Sequence, residues 1–74
     1  VKKQKKYEYE ATVFNSKSLE YFDNSLKIFT EINDEINVIN TYGYLGIVLS
    51  KVGKYKQALV YFNKALKNSE KLED

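Results

Sequence analysis

The side chains that most often carry out chemistry in proteins are scarce in this sequence. Neither His nor Cys occurs among its 74 residues, which removes the commonest general base, the thiol nucleophile and the thiolate metal ligands. Ser, Asp and Glu are present, but no base is available to activate a nucleophile. The adjacent acids Asp34 and Glu35 are more simply explained as residues that start a helix. The sequence therefore predicts a protein that is not an enzyme and that uses no cofactor or metal.

Charge gives one further candidate for binding chemistry. The chain has 12 basic and 10 acidic residues, a net charge of +2, and every basic residue is Lys. Lys2, Lys3, Lys5 and Lys6 form a cluster that could contact the phosphates of a nucleic acid. The balanced charge and the lack of Arg, the residue best suited to phosphate and base contacts, disfavour that function. We expect the cluster to be a solvated loop.

The composition also indicates the cellular compartment of the protein. No apolar run approaches the 18 residues that a membrane-spanning helix needs, so we expect no membrane insertion. The absence of Cys fits a reducing compartment, and the sequence therefore predicts a cytoplasmic protein. The chain begins with Val1 rather than Met, which predicts a piece of a longer protein.

The elements that would position any binding residues are predicted to be helices. The chain has no Pro and only three Gly, all between 43 and 53. From 35 to 52 the apolar residues recur at helical steps: Ile36, Ile39, Tyr42, Leu45, Leu49 and Val52. Asn33 or Asp34 would cap this helix and Gly53 would end it. A second apolar stripe predicts a helix from 55 to 72, folded back on the first as an antiparallel hairpin.

The N-terminal half has a longer helical stripe. Its members are Tyr7, Ala11, Phe14, Ser18, Phe22, Ser25, Phe29 and Ile32. We predict one helix of roughly 25 residues rather than two helices broken at Asn15 and Ser16, because no Gly or Pro marks a turn there. The lysine-rich first few residues are expected to form a turn or a frayed end.

An internal repeat links the two halves. Residues 18–27 and 58–67, separated by 40 positions, share Leu, Tyr, Phe, Leu and Lys, and Ser replaces Ala twice. Self-similarity at such a period is typical of a solenoid built from stacked helical units.

The second unit resembles the tetratricopeptide repeat family. The residues that carry the resemblance are Tyr42, Leu45, Gly46, Leu49, Gly53, Tyr55, Ala58, Phe62, Ala65 and Leu66. It implies an all-α fold of antiparallel helical hairpins, an α-solenoid fragment in one domain over 1–74. Residues 34–74 would be one complete helix–turn–helix repeat, and 1–33 a long helix or the second helix of a preceding repeat. Small side chains at Gly46 and Ala58 would let the helices approach to about 8–9 Å.

The large side chains of the pattern should then fill the space around this close approach. These side chains are Tyr42, Leu45, Leu49, Phe62 and Leu66, and Tyr42, Tyr55 and Tyr61 are expected in the core or at its rim. The offset of 40 exceeds the family's usual 34, which is similar to the longer repeats of bacterial peptide-sensing regulators. A second alignment, which sets 3–7 against 51–55, would make Val1 to Lys3 the end of a lost helix.

The resemblance implies a non-catalytic module that binds protein or peptide. Asn40, Tyr44, Ile47 and Lys51 lie off the apolar stripe, on the face that lines the concave groove in such arrays. An Asn amide can hold an extended peptide backbone, and Tyr and Ile provide apolar contact. Gly43 and Ile47 occupy two of the places where a clamp for a C-terminal carboxylate would have a cation and an amide, which disfavours that subclass.

Two other readings of the sequence stay open beside peptide binding. Repeat proteins need about three units for stability, and this chain has about one and a half, which predicts a homo-oligomer. A purely structural, self-associating segment is therefore one alternative function. Nucleic-acid contact through the N-terminal lysines is the other.

Overall fold

The chain folds into three α-helices in the computed structural model, which describes the backbone of residues 2–73 and the side chains of residues 16–73. The helices are α1 (Lys2–Glu31), α2 (Glu35–Lys51) and α3 (Tyr55–Glu73). Helix α2 packs against both of the others, and no Cα of α1 lies within 8 Å of one of α3 in this part of the chain. The prediction of an all-α fold built from antiparallel hairpins is confirmed.

Helix α1 is longer at its N-terminus than the sequence indicated. It begins at Lys2, so the expected turn or frayed end among the first lysines is wrong. Lys, Gln and Glu have high intrinsic helix propensity, and their long side chains can stay in solvent along a helix. The helix runs on through Asn15 and Ser16, which excludes a break there and the alignment that ends a helix near Lys3. The side chains of the first fifteen residues, including Tyr7 and the lysine cluster, lie outside the described ones.

The two turns between the helices have the same hydrogen-bonding pattern. In the first turn the backbone N–H of Asp34 donates to the carbonyl of Phe29, at 2.9 Å. In the second the N–H of Lys54 donates to the carbonyl of Leu49, also at 2.9 Å. This bond closes the end of a helix by satisfying a carbonyl of its last turn. Helix α2 begins at residue 35 and α3 at residue 55. In both cases the hydrogen-bonded turn ends one residue before the helix begins, so the two helices start from turns of the same geometry.

The residue at the centre of each turn has a left-handed backbone. The φ angle is 59° at Asn33 and 82° at Gly53, and Asn and Gly tolerate this region best. The predicted cap of α2 is confirmed at Asp34, whose carboxylate accepts from the backbone N–H of Asn37 at 3.3 Å. The same carboxylate accepts from the side-chain amide of Asn37 at 2.6 Å.

The buried core centres on α2, with one small residue from α3. The described side chains that are buried are Thr41, Leu45, Val48, Leu49 and Ala58. The expected stripe of α2 is wrong at Ile36, which is 66% exposed, and it omitted Thr41 and Val48. Helix α2 lies between two neighbours, so two of its sides are buried rather than one.

The close approach of α2 and α3 depends on small residues, as the sequence predicted. A Cβ built on Gly46 would lie 2.6 Å from Cε1 of Phe62, and Ala58 is 2% exposed. Two expected core residues of α3 are nevertheless on the outside. Tyr55 is 70% exposed and Leu66 is 58% exposed, because their side of the helix points away from α2.

Candidate functional site

One edge of α2 stays open between its two neighbours. Its residues recur at steps of four, four, three and four, which places them in one line along the helix. They are Ile36, Asn40, Tyr44, Ile47 and Lys51, all of them exposed, and we call this line the α2 edge. Four of its five members are the side chains that the sequence proposed for contact with a partner. Their common exposure follows from the position of α2, whose other sides are covered by α1 and α3.

Tyr44 is the aromatic side chain of the α2 edge. Its ring stacks on Phe22 of α1, with 5.3 Å between ring centroids and 16° between ring planes. Phe22 in turn meets the ring of Tyr21 edge to face at 5.3 Å. Such aromatic pairs contribute about 0.5–1.5 kcal/mol beyond the area that they bury. Tyr44 is still 52% exposed, so it offers a partly free ring that α1 holds in place.

A shallow cavity opens beside Tyr44 between α1 and α2. Its volume is about 220 Å³, and its lining consists of Tyr21, Phe22, Ser25, Phe29, Asn37, Asn40, Thr41 and Tyr44. The hydroxyls of Ser25 and Thr41 donate to carbonyls of their own helices, at 2.9 and 2.7 Å. The Asn37 amide donates to Asp34. Asn40 is exposed at the rim, so its amide can meet an incoming chain.

The structure brings together only part of the predicted site. Asn40 and Tyr44 line the same cavity, whereas Ile47 and Lys51 continue along α2 beyond it. Ile47 is 46% exposed. The α1 residues Tyr21 and Phe22 were missing from the predicted site, although the apolar stripe of α1 had marked Phe22 as a residue that packs on another helix. The periodicity of the sequence shows which side of a helix is packed. It does not show which residue of the neighbouring helix contacts that side.

A comparison with protein families identifies the type of repeat. A sequence model of the tetratricopeptide repeat family matches residues 15–71. The chain belongs to the tetratricopeptide repeat family. No curated protein and no solved structure gave a significant match. Tetratricopeptide repeats are in general modules for interaction between proteins.

The tetratricopeptide hairpin has a cluster of two tyrosines and a lysine on the side of α2 opposite the α2 edge. The rings of Tyr42 and Tyr61 lie 5.9 Å apart, and the Nζ of Lys64 lies 5.7 and 5.3 Å from their centroids. Burial raises the pKa of Tyr61 above its ordinary 10.0, and the negative charge of Asp23 and the neighbouring Tyr42 raise it further. A cation over two rings stabilises the contact between α2 and α3. We assign this cluster to the hairpin itself.

A larger cavity lies near the first turn, on the same side as that cluster. It has a volume of about 280 Å³, and its lining consists of Phe29, Thr30, Asn33, Glu35, Val38, Tyr42, Asn68 and Lys71. Its polar groups come from three helices and carry charges of both signs. None of the described helices of the repeat is long and apolar enough to cross a membrane. Among the described residues no cluster of acidic side chains could hold a metal ion.

Proposed function

We propose that this tetratricopeptide chain is a non-catalytic module that binds a protein or peptide segment along the α2 edge. The observation that carries the proposal is the stack of Tyr44 on Phe22 beside a cavity of about 220 Å³. A ring fixed by its neighbour loses little further freedom on binding, so it can contact a partner at low entropic cost. The cavity has room for one apolar side chain of the bound segment.

The polar members of the α2 edge suit an extended backbone. The Asn40 amide has both a donor and an acceptor, which can pair with one peptide unit. Ile47 would add apolar contact, and Lys51 would favour an acidic group toward the C-terminal end of α2. We place the module in the cytoplasm, in a scaffold or a peptide-responsive regulator, because the chain has no Cys and resembles the longer bacterial repeats.

A titration with pools of short fluorescent peptides tests this function. We expect at least one pool to bind saturably, and we expect Tyr44→Ala and Ile47→Asp to weaken that binding at least tenfold. Val60→Ala is the matched control, because Val60 is 52% exposed on α3 and away from the α2 edge. Far-UV circular dichroism of each variant would show that the helices are retained. Binding that survives both substitutions would place the partner on another surface.

Self-association is a second candidate function, and the outer helices favour it. Tyr21 and Ile28 of α1 are 66% and 56% exposed, and Ile32 beside them is 62% exposed. Large apolar side chains that are exposed on one side of a small protein commonly mark a contact with another chain. We infer that copies of this chain associate. A mass of one chain at tens of micromolar, measured by light scattering, would contradict this inference.

A further inference from the structure

The cavity of about 280 Å³ near the first turn lies where α1 ends, α2 begins and α3 ends. The antiparallel hairpin brings the start of α2 beside the end of α3. Acidic residues suit the first turn of a helix and basic residues suit the last, and α2 has Glu35 in its first turn while α3 has Lys71 in its last. The hairpin therefore places a carboxylate and an ammonium group in the lining of one cavity.

The chain itself does not pair these two charges. In the part of the chain that the structure describes, neither Glu35 nor Lys71 takes part in an ion pair or a side-chain hydrogen bond. Both side chains are exposed, and both line the cavity. Two opposite charges that share a cavity without meeting can each bind the opposite charge of one small molecule.

Neutral side chains line the rest of the cavity. Asn33 of the first turn and Asn68 of α3 provide amides, each of which can donate and accept hydrogen bonds. Phe29 and Val38 are half-buried and form an apolar part of the wall. The lining thus combines both charges with hydrogen-bonding groups and apolar surface, as binding sites for small polar molecules do.

The opening of this cavity does not depend on where the chain ends. Its wall on α3 is formed by Asn68 and Lys71. The exposed Leu59 and Leu66 lie on the opposite side of α3, since about two and a half helical turns separate Leu59 from Asn68. A further helix packed on those leucines would leave the cavity as it is.

We propose that this cavity binds a small zwitterion, a free α-amino acid with an apolar side chain. The ammonium group of the ligand pairs with Glu35 and its carboxylate pairs with Lys71. The amides of Asn33 and Asn68 hydrogen-bond to the same polar groups, and the apolar side chain lies against Val38. The residues of this site are not those of the α2 edge, so the proposal goes beyond the peptide-binding function and does not rest on it.

An ion with a single charge is the competing ligand. A simple amine would use Glu35 alone and a simple carboxylate would use Lys71 alone, so neither would gain from the second charge of the cavity. Analogues of one amino acid separate these cases. L-valine has both charges, N-acetyl-L-valine lacks the ammonium group and L-valinamide lacks the carboxylate.

Titration of the isotope-labelled 74-residue chain with L-valine at pH 7, followed by amide NMR spectra, tests the binding. We expect saturable shifts at Glu35, Val38 and Asn68, with a dissociation constant in the millimolar range because the ligand is small and the cavity is open. Each blocked analogue should bind about threefold to fivefold more weakly, as the loss of one exposed charge pair predicts. Binding of either analogue as tight as that of L-valine, or no shifts up to about 50 mM, would overturn the proposal.

Substitutions assign each charge of the ligand to its partner. Glu35→Gln should weaken L-valine binding by about threefold to fivefold and leave N-acetyl-L-valine binding unchanged, because that analogue has no ammonium group. Lys71→Gln should likewise weaken L-valine and leave L-valinamide unchanged. Lys67→Gln is the matched control, since Lys67 is exposed on α3 and outside the lining. Equal losses for every ligand in either test variant would overturn the assigned charge pairs.

A dipeptide tests whether the zwitterion is a free amino acid. Gly-Val has the same two charges farther apart, and we expect it to bind more weakly than L-valine. Tighter binding of the dipeptide would overturn the free amino acid as the ligand. Circular dichroism would verify that each variant stays helical. None of these substitutions alters the α2 edge, so the peptide titration decides the proposed function separately.

Discussion

Gly46 and Phe62 are in contact so closely that no side chain fits between them. A Cβ on Gly46 would lie 2.6 to 2.8 Å from three ring carbons of Phe62, well inside normal van der Waals separation. The contact sets the distance between α2 and α3. It also explains why a residue with low helix propensity occupies the middle of a buried helix.

Gly46→Leu should lower the free energy of unfolding by about 1–3 kcal/mol, because the side chain must displace the Phe62 ring and separate the helices. Gly43 is the matched control on the same helix, since nothing lies within 4 Å of a Cβ built there. Gly43→Ala should instead raise stability by about 0.5–1 kcal/mol through better helix propensity. Thermal melts followed by circular dichroism would measure both. Equal melting temperatures for the two variants would contradict the packing.

Gly53→Ala should lower stability by about 1 kcal/mol, because φ is 82° at this position and a Cβ strains that backbone. Steric crowding is not the reason, since nothing lies within 4 Å of the added atom. Gly53→Asn should lower stability less, as Asn33 holds a similar φ of 59° in the first turn. Urea unfolding would compare the free energies of unfolding of the two variants, provided that the dependence of the free energy on urea concentration is the same for both. An Asn variant that is less stable than the Ala variant would refute this account.

Asp34→Ala should lower the free energy of unfolding by about 1 kcal/mol, since it removes the cap of α2. The carboxylate accepts from the backbone N–H and the side-chain amide of Asn37. Asp34→Asn keeps an acceptor for the backbone N–H and should retain most of the stability. Chemical unfolding of the three proteins provides the test, and an Asn variant as unstable as the Ala variant would count against a capping role.

Stability should fall at alkaline pH partly because of Tyr61. Its pKa is raised in the folded chain above the ordinary 10.0, so the folded state holds the phenol proton more tightly than the unfolded state does. The contribution is intact below pH 10 and is lost as pH rises through the raised pKa. Tyr61→Phe should show a smaller loss of stability above pH 10 than the unmodified chain. Identical alkaline profiles would argue against a raised pKa.

The sequence was sufficient for α2, α3, their hairpin and the close approach at Gly46, because these depend on local signals. Asp34 and Gly53 mark helix ends by their own chemistry, and small residues mark helix contacts. The burial of Thr41 and Val48 was not predictable in this way. It follows from the central position of α2, which a stripe calculated for one helix at a time does not show.

The candidate site was predicted only in part, for a related reason. Exposure of Asn40, Tyr44, Ile47 and Lys51 followed from their positions off the apolar stripe. The stack of Tyr44 on Phe22 joins residues on different helices, and its geometry depends on how α1 and α2 pack. The expected burial of Tyr55 and Leu66 was wrong because the family pattern assumes a further helix against α3, and the described chain does not provide one.

The central position of α2 also sets the order in which the chain should open. Its backbone amides are shielded by helices on two sides, whereas those of α1 and α3 are shielded on one. Amide hydrogen exchange should therefore be slowest around Leu45 and Leu49, which are 1% and 4% exposed. Helices α1 and α3 each pack against α2 and not against each other in the described chain, so we expect their amides to exchange faster than those of α2.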